Sequence, residues 1–286
     1  MKISMLMPVY NEEKFLFYSL ENTLRYVDEA IIVDGSQYGP STDRTKEIID
    51  NFAELYPGKI VYLSGTFIKE DGAWDEGAQR NLGLSKVTGD FLMPHCGDMI
   101  YTNDDISRLF DAIDRFRDKK IFYCVFIEFW LDQHHIRMYK NRFMEEWFYG
   151  PAIGDVPVIA MDLIDSYVNG PHLPLVRVEA ASDFLFVPHA YRYHYGWITG
   201  FDGQVRKHIR NMSMGSWAGS DLDIRSKGEL EIAKWAINHV LQYPTFPCSF
   251  DYPGAIPLRE NYTYFDNYDE TIKYYEGIYG EGFWKE

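Results

Sequence analysis

Cysteine is scarce: Cys96, Cys124 and Cys248 are the only three in 286 residues. Three scattered thiols make neither a disulfide framework nor paired zinc knuckles, and they point to a reducing compartment. Basic charge is also short, with 28 Lys and Arg against 43 Asp and Glu and a net charge of −15. Such a field repels phosphate backbones and anionic headgroups, which argues against nucleic acid and membrane surfaces as partners. It leaves room for a small anionic ligand, because a metal ion or a few cations can reverse the sign locally. No long hydrophobic run is present. The longest, residues 121–131, is interrupted by Glu128 and falls short of the roughly 20 residues that cross a bilayer. The apolar run within residues 1–8 is too short for a signal peptide. A cytoplasmic protein without an integral membrane segment is expected. Gly-x-x-x-x-Gly-Lys-Ser/Thr and Gly-x-Gly-x-x-Gly are missing, so ATPase and nicotinamide readings lack their signatures. Gly-x-Ser-x-Gly is absent too, which weakens a hydrolase reading. His134, His135, His172 and His189 show no zinc spacing.

What is present reads as globular, with 46% hydrophobic and 25% charged residues. The length allows one large α/β domain, or a catalytic domain with an appendage. Strand and helix patterns alternate over the first hundred residues, as in βαβ units on a parallel sheet. Strands are expected at residues 3–9, 29–33, 59–63 and 91–94, and helices opening at Asn11, Asp43 and Glu76. Beyond residue 120 the alternation breaks. Residues 121–130 read as a long strand and 134–139 as its hairpin partner. Strands at 176–180 and 184–187 and helices at 204–212 and 227–241 follow. The last 44 residues hold 13 aromatics, which suit either stacking on sugar rings or the packing of a C-terminal wrap.

Parallel sheets bind ligands beyond the carboxyl ends of their strands. Four such ends carry polar groups: Tyr10-Asn11-Glu12, Asp34-Gly35-Ser36, Lys69-Glu70-Asp71 and His95-Cys96-Gly97-Asp98. Singly, each suits a helix cap or a turn just as well. Their order carries more. Met7-Pro8-Val9-Tyr10-Asn11-Glu12-Glu13, Ile31-Ile32-Val33-Asp34-Gly35-Ser36 with Ser41-Thr42-Asp43-Arg44-Thr45, Gly77-Ala78-Gln79-Arg80-Asn81-Leu82-Gly83-Leu84 and Thr88-Gly89-Asp90-Phe91-Leu92 resemble the successive motifs of family 2 glycosyltransferases. The resemblance covers about residues 1–115. It implies a GT-A fold, a mainly parallel central sheet flanked by helices, here with the aromatic C-terminal extension. It also implies a nucleoside-diphosphate sugar as donor, a divalent metal (Mn²⁺ or Mg²⁺), a carbohydrate or other hydroxyl acceptor, and inversion at the anomeric carbon.

The family's site residues carry over position by position. Pro8, Tyr10, Glu12 and Asp34 match positions that hold the nucleoside, where carboxylates can accept from base N–H or ribose hydroxyls. Arg80 matches a basic residue close to the nucleotide; an ion pair with Asp75 or Glu76 is the plainer alternative. The family ends its fourth strand with Asp-x-Asp, and here Cys96-Gly97-Asp98 keeps only the second carboxylate. Asp98 is thus the implied metal ligand. Some relatives carry a His-Tyr-Gly segment ahead of a basic helix, which makes His194 a second metal ligand and places Arg206, Lys207 and Arg210 near the diphosphate. A histidine within an aromatic core is the other reading of His194.

An inverting transfer also needs a base for the acceptor hydroxyl. Glu128, Asp132, Glu145, Glu146, Asp155, Glu179 and Asp183 are the available carboxylates. Asp132 is favoured because it ends a long strand ahead of His134-His135, although an Asp there also suits a turn. The expected organisation is a GT-A glycosyltransferase domain over 1–242, with a nucleotide-binding half (1–115) and an acceptor and metal half (116–242), and an extension over 243–286 packed on it. Two other readings stand beside the transferase: an inactive nucleotide-sugar-binding protein of the same fold, which the missing first Asp favours, and a nucleotidyltransferase, against which the acidic Tyr10–Glu13 turn counts.

Overall fold

The computed structural model describes residues 1–137, 139–140, 147–148, 157–167, 183–214, 228–242, 245–247, 263 and 265–285. By contacts the chain forms two compact units, residues 1–126 with 151–194 and residues 127–150 with 195–286. Each unit draws on two stretches of chain, so the division follows neither the 115/116 nor the 242/243 boundary. Among the described residues no helix is long and apolar enough to cross a membrane.

The first unit is built on β1 (Ile3–Val9), β2 (Glu29–Ser36), β3 (Ile60–Thr66) and β4 (Phe91–Pro94), parallel in the order β3-β2-β1-β4. Met5, Leu6 and Met7 of β1 and Ile31, Ile32 and Val33 of β2 are buried whichever face they point to. Helices cover both faces, and this is why these strands read as unbroken apolar runs rather than as alternation. The helices are α1 (Leu16–Thr23), α2 (Thr45–Leu55), α3 (Glu76–Leu84) and α4 (Asn103–Arg115). The short β5 (Met99–Ile100) follows β4. The long β6 (Ile121–Trp130) has the expected bounds, and its first residues pair antiparallel with β10 (Val158–Ala160), itself antiparallel to β4.

Two elements differ from expectation for local reasons. A helix was expected from Asn11, yet α1 starts at Leu16, and Asn11 sits in the left-handed region with φ 54°. Residues 11–13 are bonded to the loop after β2 instead of to a helical turn. The last strand was expected to stop at Val187, before Pro188. Instead β11 (Phe184–His194) passes through the proline, with His189 at φ 59° marking the irregularity, and pairs antiparallel with β5. The strand expected at 176–180 lies outside the described residues.

In the second unit the end of β6 pairs with β7 (Asp132–Arg137), which pairs with β12 (Thr245–Pro247). A two-stranded ladder joins β8 (Tyr139–Lys140) to β9 (Trp147–Phe148). Its helices are α5 (Gly200–Met214), α6 (Glu229–Gln242) and α7 (Tyr268–Tyr279). Trp130, Trp197, Phe201, Ala236, Ile272 and Tyr275 belong to one apolar core. Part of the C-terminal aromatic excess is therefore packing: Tyr275 stacks on Tyr279, whose ring lies 5.2 Å from that of Phe283.

α3 packs against β1 and β2 at a glycine. A Cβ on Gly83 would collide with Leu6 Cδ1 and come within 2.8 Å of Val33 Cγ2. Gly83→Ala should cost about 1–3 kcal/mol of overpacking, read as a lower urea midpoint.

Acid should also unfold the chain in two stages. Burial pushes the imidazoles of His95 and His239 down to about 3. The unfolded chain takes up those protons below about pH 6.5 while the folded chain refuses them, so stability should fall as pH drops through that window. Burial raises the Glu29 carboxyl, but hydrogen bonds from Lys2, Ser4 and Thr88 outweigh it and hold the group at about 2. Its contribution is complete above the unfolded value near 4.5 and disappears as pH falls towards 2. Urea melts between pH 7 and 3 check both stages, and His95→Gln should flatten the first.

Candidate functional site

The carboxyl ends of β1 and β2 are laced together by side chains. The Asp34 carboxylate, fully buried, accepts from Ser41 N at 3.0 Å, Ser41 Oγ at 2.5 Å and Tyr62 Oη at 2.9 Å. Ser41 Oγ accepts in turn from Asn11 N at 2.8 Å, and Asn11 Oδ1 accepts from Thr42 N at 2.9 Å. Glu12 N donates to Thr45 Oγ1 at 2.7 Å and Glu13 N to Asp43 Oδ2 at 3.1 Å. Burial drives the Tyr62 phenol up to about 12, and the hydrogen bond to Asp34 adds to the shift. Asp34 therefore shapes the loops, with Pro8, Tyr10 and Glu12, all partly exposed, presented at their edge. Tyr10 meets Trp74 edge to face at 5.9 Å.

α3 ties in from behind. Gln79 Nε2 donates to the carbonyls of Val9 at 3.2 Å and Val33 at 2.7 Å, joining the two strand ends. Arg80, expected against the nucleotide, is 4% exposed and enclosed. Its guanidinium lies 3.7 Å from Glu76 and over the Tyr167 ring. Burial opposes its charge, but Cys96, Glu76 and Tyr167 together raise its pKa. The ion pair with Glu76 is present, and it lies in the interior. Asn81 exchanges two 2.8 Å hydrogen bonds with the backbone of Tyr167, so the ring stays over Arg80.

The segment after β4 brings Asp98 to the same edge. A Cβ on Gly97 would lie 3.1 Å from Glu12 Cβ, so this residue type lets the segment approach the β1 loop. Asp98 Oδ2 and His194 Nε2, 96 residues apart in the chain, are 3.2 Å apart. The His194 ring stacks on Phe126 at 5.7 Å. His95 is buried, its Nε2 3.0 Å from Ser19 Oγ and its ring stacked on Tyr101. Among the described residues no third His, Cys, Asp or Glu joins Asp98 and His194 in a group that could hold a metal ion. A carboxylate oxygen and an imidazole nitrogen facing each other nevertheless suit two adjacent positions on a cation such as Mn²⁺.

A model of glycosyl transferase family 2 matches residues 4–179, well beyond the segment whose motifs resemble that family. The chain belongs to this family. Its α/β architecture, a parallel sheet flanked by helices, is the GT-A arrangement expected of a member. Within the family it is 33% identical over 92 residues to the minor teichoic acid biosynthesis protein GgaA of Bacillus subtilis strain 168, a match covering 30% of this chain and 18% of the relative. The chain thus spans under a fifth of that relative's length. Among solved structures it is similar to S. aureus TarS 1-349 in complex with UDP-GlcNAc, at 13% identity and TM-score 0.44, covering 84% of this chain and 72% of that one. It is also similar to glucosyl-3-phosphoglycerate synthase from Mycobacterium tuberculosis in complex with Mn²⁺ and UDP-glucose, at 19% identity and TM-score 0.31, covering 44% of this chain and 43% of that one.

Glu128, Asp132, Arg206, Lys207 and Arg210 belong to the second unit. Lys207 Nζ donates to Gly196 O at 2.6 Å and sits over the Trp197 ring at 4.2 Å. Arg206 is paired with Asp202, and Arg210 is exposed. Asp132, 2% exposed, accepts from His134 N at 2.7 Å and lies 2.8 Å from His135 Nδ1. Of the other carboxylates, Glu128 accepts from Trp197 Nε1 and Arg137, a buried structural network. Glu145, Glu146, Asp155 and Glu179 lie outside the described residues. Sequence reading missed Ser41, Tyr62 and Gln79 as the frame of the loops, and Arg192 beneath the donor pair. Ser41 and Gln79 lie within the family-like motifs, Arg192 is two residues before His194 on a strand and hence on the same face, and Tyr62 left no signal.

Asp34→Ala would leave Ser41 and Tyr62 without their acceptor. The expected cost is on the order of 2–3 kcal/mol, with faster amide exchange confined first to residues 10–13 and 41–45.

Proposed function

We propose that this chain is a metal-dependent, inverting glycosyltransferase that moves a sugar from a nucleoside-diphosphate sugar to a hydroxyl of a carbohydrate or similar acceptor. The observation that carries the reading is the facing of Asp98 and His194 at the carboxyl edge of the parallel sheet, in a member of this family. Pro8, Tyr10 and Glu12 form the rim of the nucleoside pocket, with Asp34 behind them setting the loop. Asp98 and His194 would hold the divalent cation. When bound, the cation neutralises the charge that develops on the departing diphosphate.

The acceptor oxygen attacks the anomeric carbon from the face opposite the diphosphate. The new C–O bond forms as the old one breaks, which inverts the centre, and the acceptor's proton goes to a carboxylate. Asp132 is the residue assigned to receive it. His135 Nδ1 beside Asp132 keeps the carboxylate oriented. Cys96 and Cys124 are thiols rather than a disulfide, which fits work in the cytoplasm.

Thermal melts with UDP, GDP, CDP and dTDP, each with and without Mn²⁺, test the donor half. One of these should stabilise the protein only with metal, by about 2.7 kcal/mol at a hundredfold excess over its Kd, and Asp98→Asn should abolish the gain. If no nucleotide shifts the melt under either condition, the reading fails. Proton NMR of the first-formed product checks inversion, since a product with the donor's anomeric configuration excludes it.

A further inference from the structure

The donor pair is supported from below by a buried cation. Arg192 of β11 is 1% exposed, unusual for a guanidinium in the interior of a unit. It shares one face of the strand with His194, and its guanidinium carbon lies over the Phe126 ring at 5.2 Å. Phe126 is the ring on which His194 stacks. Tyr101, three residues beyond Asp98, is buried in the same unit. Burial and Cys124 push that phenol well above its ordinary range, while the neighbouring guanidinium pulls it back. Tyr101 stacks on His95 at 5.8 Å, and His95 is held by Ser19 Oγ. The His95–Tyr101 stack thus ties together the two ends of residues 95–101, which carry Asp98.

We propose that Arg192 is a positioning residue, a buried guanidinium that braces His194 through Phe126 so that the imidazole faces Asp98. Neither donor is fixed by its own element alone. Asp98 lies in a turn between β4 and β5, and His194 is the last residue of β11. A planar guanidinium can lie along an aromatic face and still direct N–H groups sideways, which an ammonium cannot do. The inference rests on the metal reading above.

The test uses the full chain. Mn²⁺ is titrated by electron paramagnetic resonance in the presence of UDP, and the His194 ring signals are followed by NMR in metal-free protein. Arg192→Gln should weaken Mn²⁺ about tenfold or more, as loss of a group that orients a ligand does, and should displace or broaden the His194 ring signals. Arg192→Lys should recover only part of the loss. If Arg192→Gln does not fold, Phe126→Leu, which keeps the site apolar, should weaken Mn²⁺ several-fold by the same route. A folded Arg192→Gln or Phe126→Leu protein with wild-type Mn²⁺ affinity and unchanged His194 signals overturns the proposal, even where its melting temperature falls. Should the wild-type protein bind no Mn²⁺, the metal reading fails on its own, and the His194 signals alone decide whether the brace exists.

Discussion

One buried carboxylate holds the working edge of the parallel sheet in shape. Asp34 collects three donors from one loop and a neighbouring strand, and Ser41 carries the link on to Asn11, so the ends of β1, β2 and β3 cannot move independently. Bonds to an ionised acceptor are about twice as strong as neutral ones and shorter. Ser41 extends the effect, because its hydroxyl donates to Asp34 while accepting from Asn11 N. This relay puts Asn11 into a left-handed conformation and delays α1 by a turn. What remains at the edge is Pro8, Tyr10 and Glu12, the last tied into the frame through its own N–H to Thr45 Oγ1.

Charge is distributed with the same economy. The chain carries a net −15, yet two guanidinium groups, Arg80 and Arg192, are buried in the first unit. Each meets aromatic faces and polar neighbours, Arg80 with Glu76, Cys96 and Tyr167, Arg192 with Phe126 and Tyr101. Burying a cation without such partners would cost several kcal/mol. Both flank residues 95–101, so positive charge sits beneath the one segment of the edge whose carboxylate faces a histidine. An acidic surface and a locally compensated site coexist for that reason.

Much of this was legible along the chain. The bounds of β1, β4 and β6 follow from apolar runs of strand length closed by polar turns, and the placing of α2 from Ile48, Ile49, Phe52 and Leu55 recurring at helical spacing. The ordered motifs of the first 115 residues pointed to family 2 before any contact was known. Illegible were the parts set by partners distant in sequence: the late start of α1, decided by Ser41 and Asp43, the passage of β11 through Pro188, decided by pairing with β5, and the enclosure of Arg80 by Tyr167.

The sequence by itself determined the α/β class and the order of the strands' polar ends, while its resemblance to family 2 singled out Asp98 and His194. Local patterns suffice there, because strand and helix periods and turn residues act over a few positions. Only the tertiary structure decided that Asp98 and His194 meet, that Asp34 and Arg80 face inward, and that Arg192 stands beneath the pair. Those outcomes depend on which groups share a buried volume, and hydrogen bonds and packing across 28 to 96 residues leave no periodic trace in the chain.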